Sequence, residues 1–141
     1  MKIFVKKIYA DAKLPLFALK GDAGMDLFSY ENLILKPGDR ASVDTGLAIK
    51  IPEGYAGLIW DKSGIAQKSG IKTLGGVIDS GYTGQWRVGL VNLSKRDYKI
   101  EKGQKIAQVL IQKVERPEIE LVTELEKTKR GTRGFGSTGK K

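Results

Sequence analysis

Apolar residues in this chain come in runs the length of β-strands, cut apart by turn formers, and that rhythm restricts the fold more than any other feature. The runs are Ile3 to Ile8, Leu33 to Leu35, Leu47 to Ile51, Tyr55 to Trp60, Val88 to Leu93, Ile106 to Val114 and Glu118 to Val122. Between them stand Pro37-Gly38-Asp39, Pro52-Glu53-Gly54, Asp79-Ser80-Gly81 and Lys102-Gly103-Gln104, where proline presets and glycine permits the dihedrals of tight turns. The pattern predicts an all-β sandwich or barrel. Only Ser63 to Lys68 reads as a short helix, stopped by Gly70. Ile106, Val109 and Leu110 also share a helical face, which leaves that window open between strand and helix. Residues 1–122 read as one β domain, and the polar stretch from Thr123 opens a C-terminal arm, 123–141.

What the chain lacks narrows its chemistry. It has no Cys and no His, which excludes disulfides, thiolate zinc sites, Ser-His-Asp hydrolysis and imidazole acid–base work; a general base must be Asp, Glu, Tyr or Lys. At 141 residues it can bury a core without metals or disulfides. A formal charge of +9 favours a polyanionic partner, although lysines spread along the whole length equally suit a solvated basic surface. No apolar run nears the roughly 20 residues that span a bilayer, and Lys2, Lys6 and Lys7 charge the N-terminus where a signal peptide is apolar. A soluble, intracellular protein without a membrane partner is expected.

Four segments hold the candidate chemistry. Arg130 to Lys141 mixes glycine, basic charge, Ser137, Thr138 and the lone aromatic Phe135, a combination suited to clamping phosphates and stacking on a base, or else to a solvated tail. Gly134 to Lys140 nearly spells a phosphate-binding P-loop, but Lys141 stands where Ser or Thr is needed and no helix can follow. Leu74 to Gly84 sets Asp79 and Tyr82 between glycine turns: a carboxylate after Val77-Ile78 can be partly shielded and act as a base, or can be an ordinary turn Asp. Gly75-Gly76 predicts a tight hairpin with exposed backbone donors and acceptors. Asp22 to Leu27, with Asp26, and Asp61 to Ala66 pair small residues with polar groups; Lys62, Ser63 and the Gly64 amide suit phosphate oxygens, with helix capping the alternative for Ser63.

Taken in order together with Gly103 to Gln108, these segments resemble the five motifs of the trimeric dUTPases. Ala23-Gly24-Met25-Asp26-Leu27 resembles the first, Lys62-Ser63-Gly64 the second, Gly76 to Gly84 the third, Gly103 to Gln108 the fourth and Arg130 to Gly139 the fifth. The resemblance implies a β jelly-roll subunit and a homotrimer with three active sites at subunit interfaces, each closed by a neighbour's C-terminal arm. It implies Mg²⁺-assisted hydrolysis of dUTP to dUMP and pyrophosphate, which removes dUTP and supplies the precursor of dTMP.

Carried onto this chain, the resemblance makes Asp79 the base for water attacking the α-phosphorus, and Tyr82 the wall that leaves no room for a ribose 2′-OH. The backbone of Gly76, Val77 and Ile78 reads uracil. Lys62, Ser63, Gly64 and Gln108 hold phosphates, Arg130, Gly136 and Ser137 take the γ-phosphate, Phe135 stacks on uracil, and Asp26 supports the site from the first motif. Mg²⁺ rides mainly on the triphosphate, with no dedicated protein ligand. Five positions depart from the family pattern: Asp61-Lys62 replaces Pro-Arg, Gln104-Lys105 replaces an acid and Arg, and Gly81 replaces a frequent acid. Lysine cannot reproduce an arginine fork, and a coupled change at Lys62 and Gln104 is one explanation. A related dCTP deaminase, and a basic nucleic-acid module stacking bases on Trp60 and Trp86, are the competing readings; no specific nucleic-acid partner is expected.

Overall fold

The structure, a computed structural model, describes residues 1–133. Two four-stranded antiparallel sheets carry the fold. The first runs in the order β1 (Phe4–Lys7), β4 (Arg40–Lys50), β8 (Gln85–Asn92), β6 (Ile71–Leu74); the second runs β2 (Met25–Phe28), β10 (Lys105–Lys113), β5 (Tyr55–Asp61), β7 (Val77–Asp79). A small pair, β3 (Leu33–Leu35) with β9 (Tyr98–Ile100), completes a jelly-roll subunit in which no barrel closes. Consecutive elements keep crossing between the sheets, so both contribute to one core.

Alternation along β8 shows how that core forms. In β8, Trp86, Val88, Leu90 and Asn92 are buried while the residues between them face outward. Trp86 is completely buried, and its indole N–H donates to the Ile49 carbonyl at 3.1 Å. The ring fits because Gly57 has no side chain: a Cβ there would lie 2.9 Å from both the indole and Ile51 Cδ1. Asn92, equally buried, donates to the carbonyls of Leu35 and Arg96 at 2.8 and 2.7 Å, tying β3 to the β8–β9 loop.

The predicted helix forms as α1 (Ser63–Ser69), and Gly70 ends it in the left-handed conformation, φ 68°. The ambiguous window from Ile106 is strand β10, because it pairs with β2 on one side and β5 on the other. Glu118 to Val122 is not a strand. Ile119 and Leu121 are each 98% exposed, and alternation makes a strand only where an unpaired edge can receive it. The last backbone bond tying the chain to the sheets runs from Val114 N–H to the Gly54 carbonyl. No helix among the described residues is long and apolar enough to cross a membrane.

Candidate active site

Leu74 and Val77 flank the Gly75-Gly76 pair but belong to different sheets: β6 pairs with β8, and β7 pairs with β5. The expected hairpin is therefore a corner that carries the chain from one sheet to the other. Both glycines have positive φ, 66° and 108°, a region that side chains disfavour. A Cβ on Gly76 would also sit 2.7 Å from the Ile59 carbonyl. With that space free, Ile59 N–H donates to the Gly76 carbonyl at 2.7 Å and the corner lies flat on β5.

Val77, Ile78 and Asp79 leave the corner as β7, and a turn closed by Tyr82 N–H donating to the Asp79 carbonyl follows. The Tyr82 hydroxyl donates to the Gln85 carbonyl at 2.9 Å. Its ring lies over Gly84, where a Cβ would come within 2.5 Å of the phenol oxygen. Asp79, Tyr82, Gly76 and Arg87 thus line one cleft of about 320 Å³. Asp79 itself is exposed, contrary to the shielding suggested by its place after Val77-Ile78, because β7 is an edge strand of its sheet.

A second cleft, of about 440 Å³, opens past Trp60 between Gly24, Trp60, Lys62 and Gln108, with none of its lining residues shared with the first. Register sets Asp26, Gln108 and Trp60 abreast on β2, β10 and β5. Gln108 donates to the Asp61 carbonyl at 2.9 Å, and Gly24 leaves it room, since a Cβ there would lie 2.8 Å from Gln108 Oε1. Asp26 is buried because β2 is covered on its outer edge as well, where Asp26 N–H donates to the Leu16 carbonyl.

Two lysines converge on that buried carboxylate. Lys62 Nζ lies 2.6 Å from Asp26 Oδ1 and Lys105 Nζ lies 2.7 Å from Oδ2. The first contact is a hydrogen bond; the second is a close charge pair off the hydrogen-bonding direction. Burial pushes the Asp26 carboxyl up, but the ammonium groups of Lys105 and Lys62 outweigh it and hold it below the ordinary carboxylate value. Asp61 behaves alike: burial raises it, while the Thr73 N–H and hydroxyl, both at 2.7 Å, and Lys72 bring it down.

Lys62 is the residue before α1 and makes no capping bond; Ser63 and Gly64 open the helix and are exposed. Capping therefore does not occupy the Ser63 hydroxyl. Gln104 does not partner Lys62: it donates to the Tyr98 hydroxyl at 2.8 Å and accepts from Glu101 N–H at 3.0 Å. Arg130 is exposed, and its Nε donates to the Arg133 carbonyl. Phe135, Gly136 and Ser137 lie outside the described residues. Burial of Trp86 removes one of the two stacking platforms that a nucleic-acid module would need.

One chain does not unite the two clefts. Asp79 pairs with Ala56 at the start of β5, whereas Lys62 follows its end. At about 3.3 Å per residue, the run from Ala56 to Lys62 spans roughly 20 Å. Lys105 stands out in the sequence only as a departure from the family's Arg; that it meets Asp26 emerges only when the fold sets the two side by side.

Comparison with known proteins agrees with this architecture. The dUTPase family profile matches residues 10–139. The deoxyuridine 5'-triphosphate nucleotidohydrolase of Clostridium kluyveri is 44% identical, with 99% of each chain covered, and that of Paramecium bursaria Chlorella virus 1 is 43% identical, with 97% of each covered. The Staphylococcus bacteriophage 80alpha dUTPase with dUpNHpp superposes with a TM-score of 0.91 at 33% identity, covering 98% of each chain. A phage phi11 dUTPase of S. aureus, described with a structural Mg(II) ion, superposes at 0.83 and 31% identity over 90% of this chain and 100% of its own. With its full length matched in sequence and its two sheets matched in space, this chain belongs to the dUTPase family.

Proposed function

We propose that the protein hydrolyses dUTP to dUMP and pyrophosphate as a homotrimer whose active sites form between subunits. The observation that carries this reading is the cleft where Asp79, Tyr82 and the bare backbone of Gly76 meet, in a chain of the dUTPase family. Asp79 is the base: its carboxylate takes a proton from water as the oxygen attacks the α-phosphorus in line and the pyrophosphate leaves opposite. Without histidine or cysteine, a carboxylate is the fitting group for that role. Backbone groups of Gly76, Val77 and Ile78 read the uracil edge. Cytosine presents reversed hydrogen-bonding groups there, and leaving them unpaired is costly.

Lys62, Ser63 and Gly64, just past the end of β5, and Gln108, beside Trp60 on β10, lie too far from the Asp79 of their own chain to serve it, so their phosphate contacts are made to a substrate held by a neighbour. The arm from 123 to 141 closes the site, with Arg130, Gly136 and Ser137 on the γ-phosphate and Phe135 on the base. Mg²⁺ is a hard cation that takes oxygen ligands, which the triphosphate would supply. When bound, Mg²⁺ offsets the negative charge of the phosphates.

Release of pyrophosphate from dUTP, dTTP, dCTP and UTP, each with Mg²⁺, tests the proposal. Turnover of dUTP alone is expected; ammonia release from dCTP, or no turnover of any, would overturn it. Tyr82 supplies a second check. Its ring is fixed by the Gln85 carbonyl and Gly84, so it forms a rigid wall against a 2′-hydroxyl. Tyr82→Ala should raise kcat/KM for UTP relative to dUTP by about 10-fold or more, and an unchanged ratio assigns that exclusion elsewhere.

A further inference from the structure

Lys62 faces two demands, and the inference drawn here rests on its proposed role as a phosphate ligand. In the free protein its ammonium lies 2.6 Å from Asp26 Oδ1. An arginine fork satisfies a carboxylate and a phosphate at once through separate N–H groups, whereas lysine offers a single charged nitrogen. Turning Lys62 toward a phosphate therefore weakens its hold on Asp26, whose side chain is 3% exposed, and a buried carboxylate left alone is unfavourable.

Lys105 is placed to prevent that. Its nitrogen lies 2.7 Å from the other Asp26 oxygen, poorly directed for a hydrogen bond, and its side chain is 41% exposed and free to re-aim. Lys105 pairs with Phe28 at the start of β10, and a register shift lies between it and Ala107, so its side chain stands beside an irregular step of the ladder. The turn before it is pinned by Lys102 to Asp11 at 2.6 Å and by Lys13 to the Gly103 carbonyl at 3.0 Å, which fixes where Lys105 emerges. We propose that Lys105 takes over Asp26 when Lys62 turns to the substrate, so that two lysines together do the work of one arginine. Lys105 is thus a positioning residue that touches no substrate.

Binding of dUpNHpp by calorimetry and steady-state dUTP kinetics test this on intact, full-length protein. Lys105→Gln should raise Kd and KM roughly 10- to 100-fold, with a smaller change in kcat, because each bound Lys62 then strands Asp26. Adding Lys62→Arg to that variant should bring both constants back to within a few-fold of wild type. Lys62→Met should weaken binding whatever occupies position 105. If Lys62→Met weakens binding and Lys105→Gln does not, the handover is wrong and the phosphate role of Lys62 stands. If Lys62→Met binds normally, the phosphate role itself fails. Absence of rescue by Lys62→Arg also overturns the handover. Should Lys105→Gln not fold, Lys105→Met replaces it. A folded variant with normal affinity, or failure of both to fold, removes Lys105 from substrate binding.

Discussion

Replacing Asp79 by Asn is expected to lower kcat for dUTP by about 10²- to 10⁴-fold, the range of a lost general base, while dUpNHpp binds nearly as before. The substitution keeps the volume and one oxygen of the side chain but removes its capacity to accept a proton. Nothing in the local fold depends on the charge. Asp79 ends β7, its ladder partner is Ala56, and its carbonyl rather than its carboxylate closes the turn to Tyr82 N–H. The side chain is exposed on the rim of the cleft, so Asn leaves no buried group unpaired. Steady-state kinetics with dUTP, calorimetry with dUpNHpp and a thermal melt separate the possibilities. Loss of kcat with intact binding and an unchanged melt places Asp79 at the chemical step; turnover within a few-fold of wild type removes it from the mechanism.

How far the sequence reveals this architecture depends on what fixes each element. Leu33–Leu35 and Tyr55–Trp60 are legible because each is a short apolar run bounded by turn residues, and α1 because Gly70 stops it. β2 escapes that reading: Asp26 interrupts its apolar run although all four of its residues are buried, and Leu16 covers its outer edge from a loop. β6 and β7 are short and separated by two glycines, which look like a hairpin until each strand is seen pairing with a different sheet. Glu118 to Val122 shows the reverse error, a strand pattern with no edge to meet.

The candidate site divides in the same way. Residue types at motif spacing mark Asp79, Tyr82, Lys62 and Gln108 as candidates, because the chemistry of each is local. Distances between them are not local. The separation of Asp79 from Lys62 is set by the length of β5, and the meeting of Asp26 with Lys105 is set by the pairing of β2 with β10. Gln104 stands next to Lys105 in the chain, yet its side chain engages Tyr98 instead. The residue of that turn that meets Asp26 beside Lys62 is Lys105, a contact that no sequence spacing displays.

Removing both lysines, as Lys62→Met with Lys105→Gln, should destabilise the protein at neutral pH by about 3 to 5 kcal/mol, the usual effect of leaving a buried charge without a partner. Either single substitution should cost much less, because one ammonium stays beside Asp26. The pH dependence distinguishes this cause from lost packing. In the wild type the folded-state pKa of Asp26 is depressed below 3.8. Its contribution is thus fully present above the unfolded value and is lost as pH falls through the folded one. Without the lysines only burial acts on the carboxyl, which raises its pKa and reverses the sign: the ionised group then opposes folding, and protonation relieves it. The stability gap between double variant and wild type should accordingly narrow as pH is lowered from 7 toward 4. Denaturant unfolding at matched protomer concentration across that range measures it, since any assembly adds a concentration-dependent term to both proteins. A gap that stays constant with pH would trace the loss to the lysine stems packed on the sheet, and Asp26 would then be a carboxylate that the fold tolerates without either counter-charge.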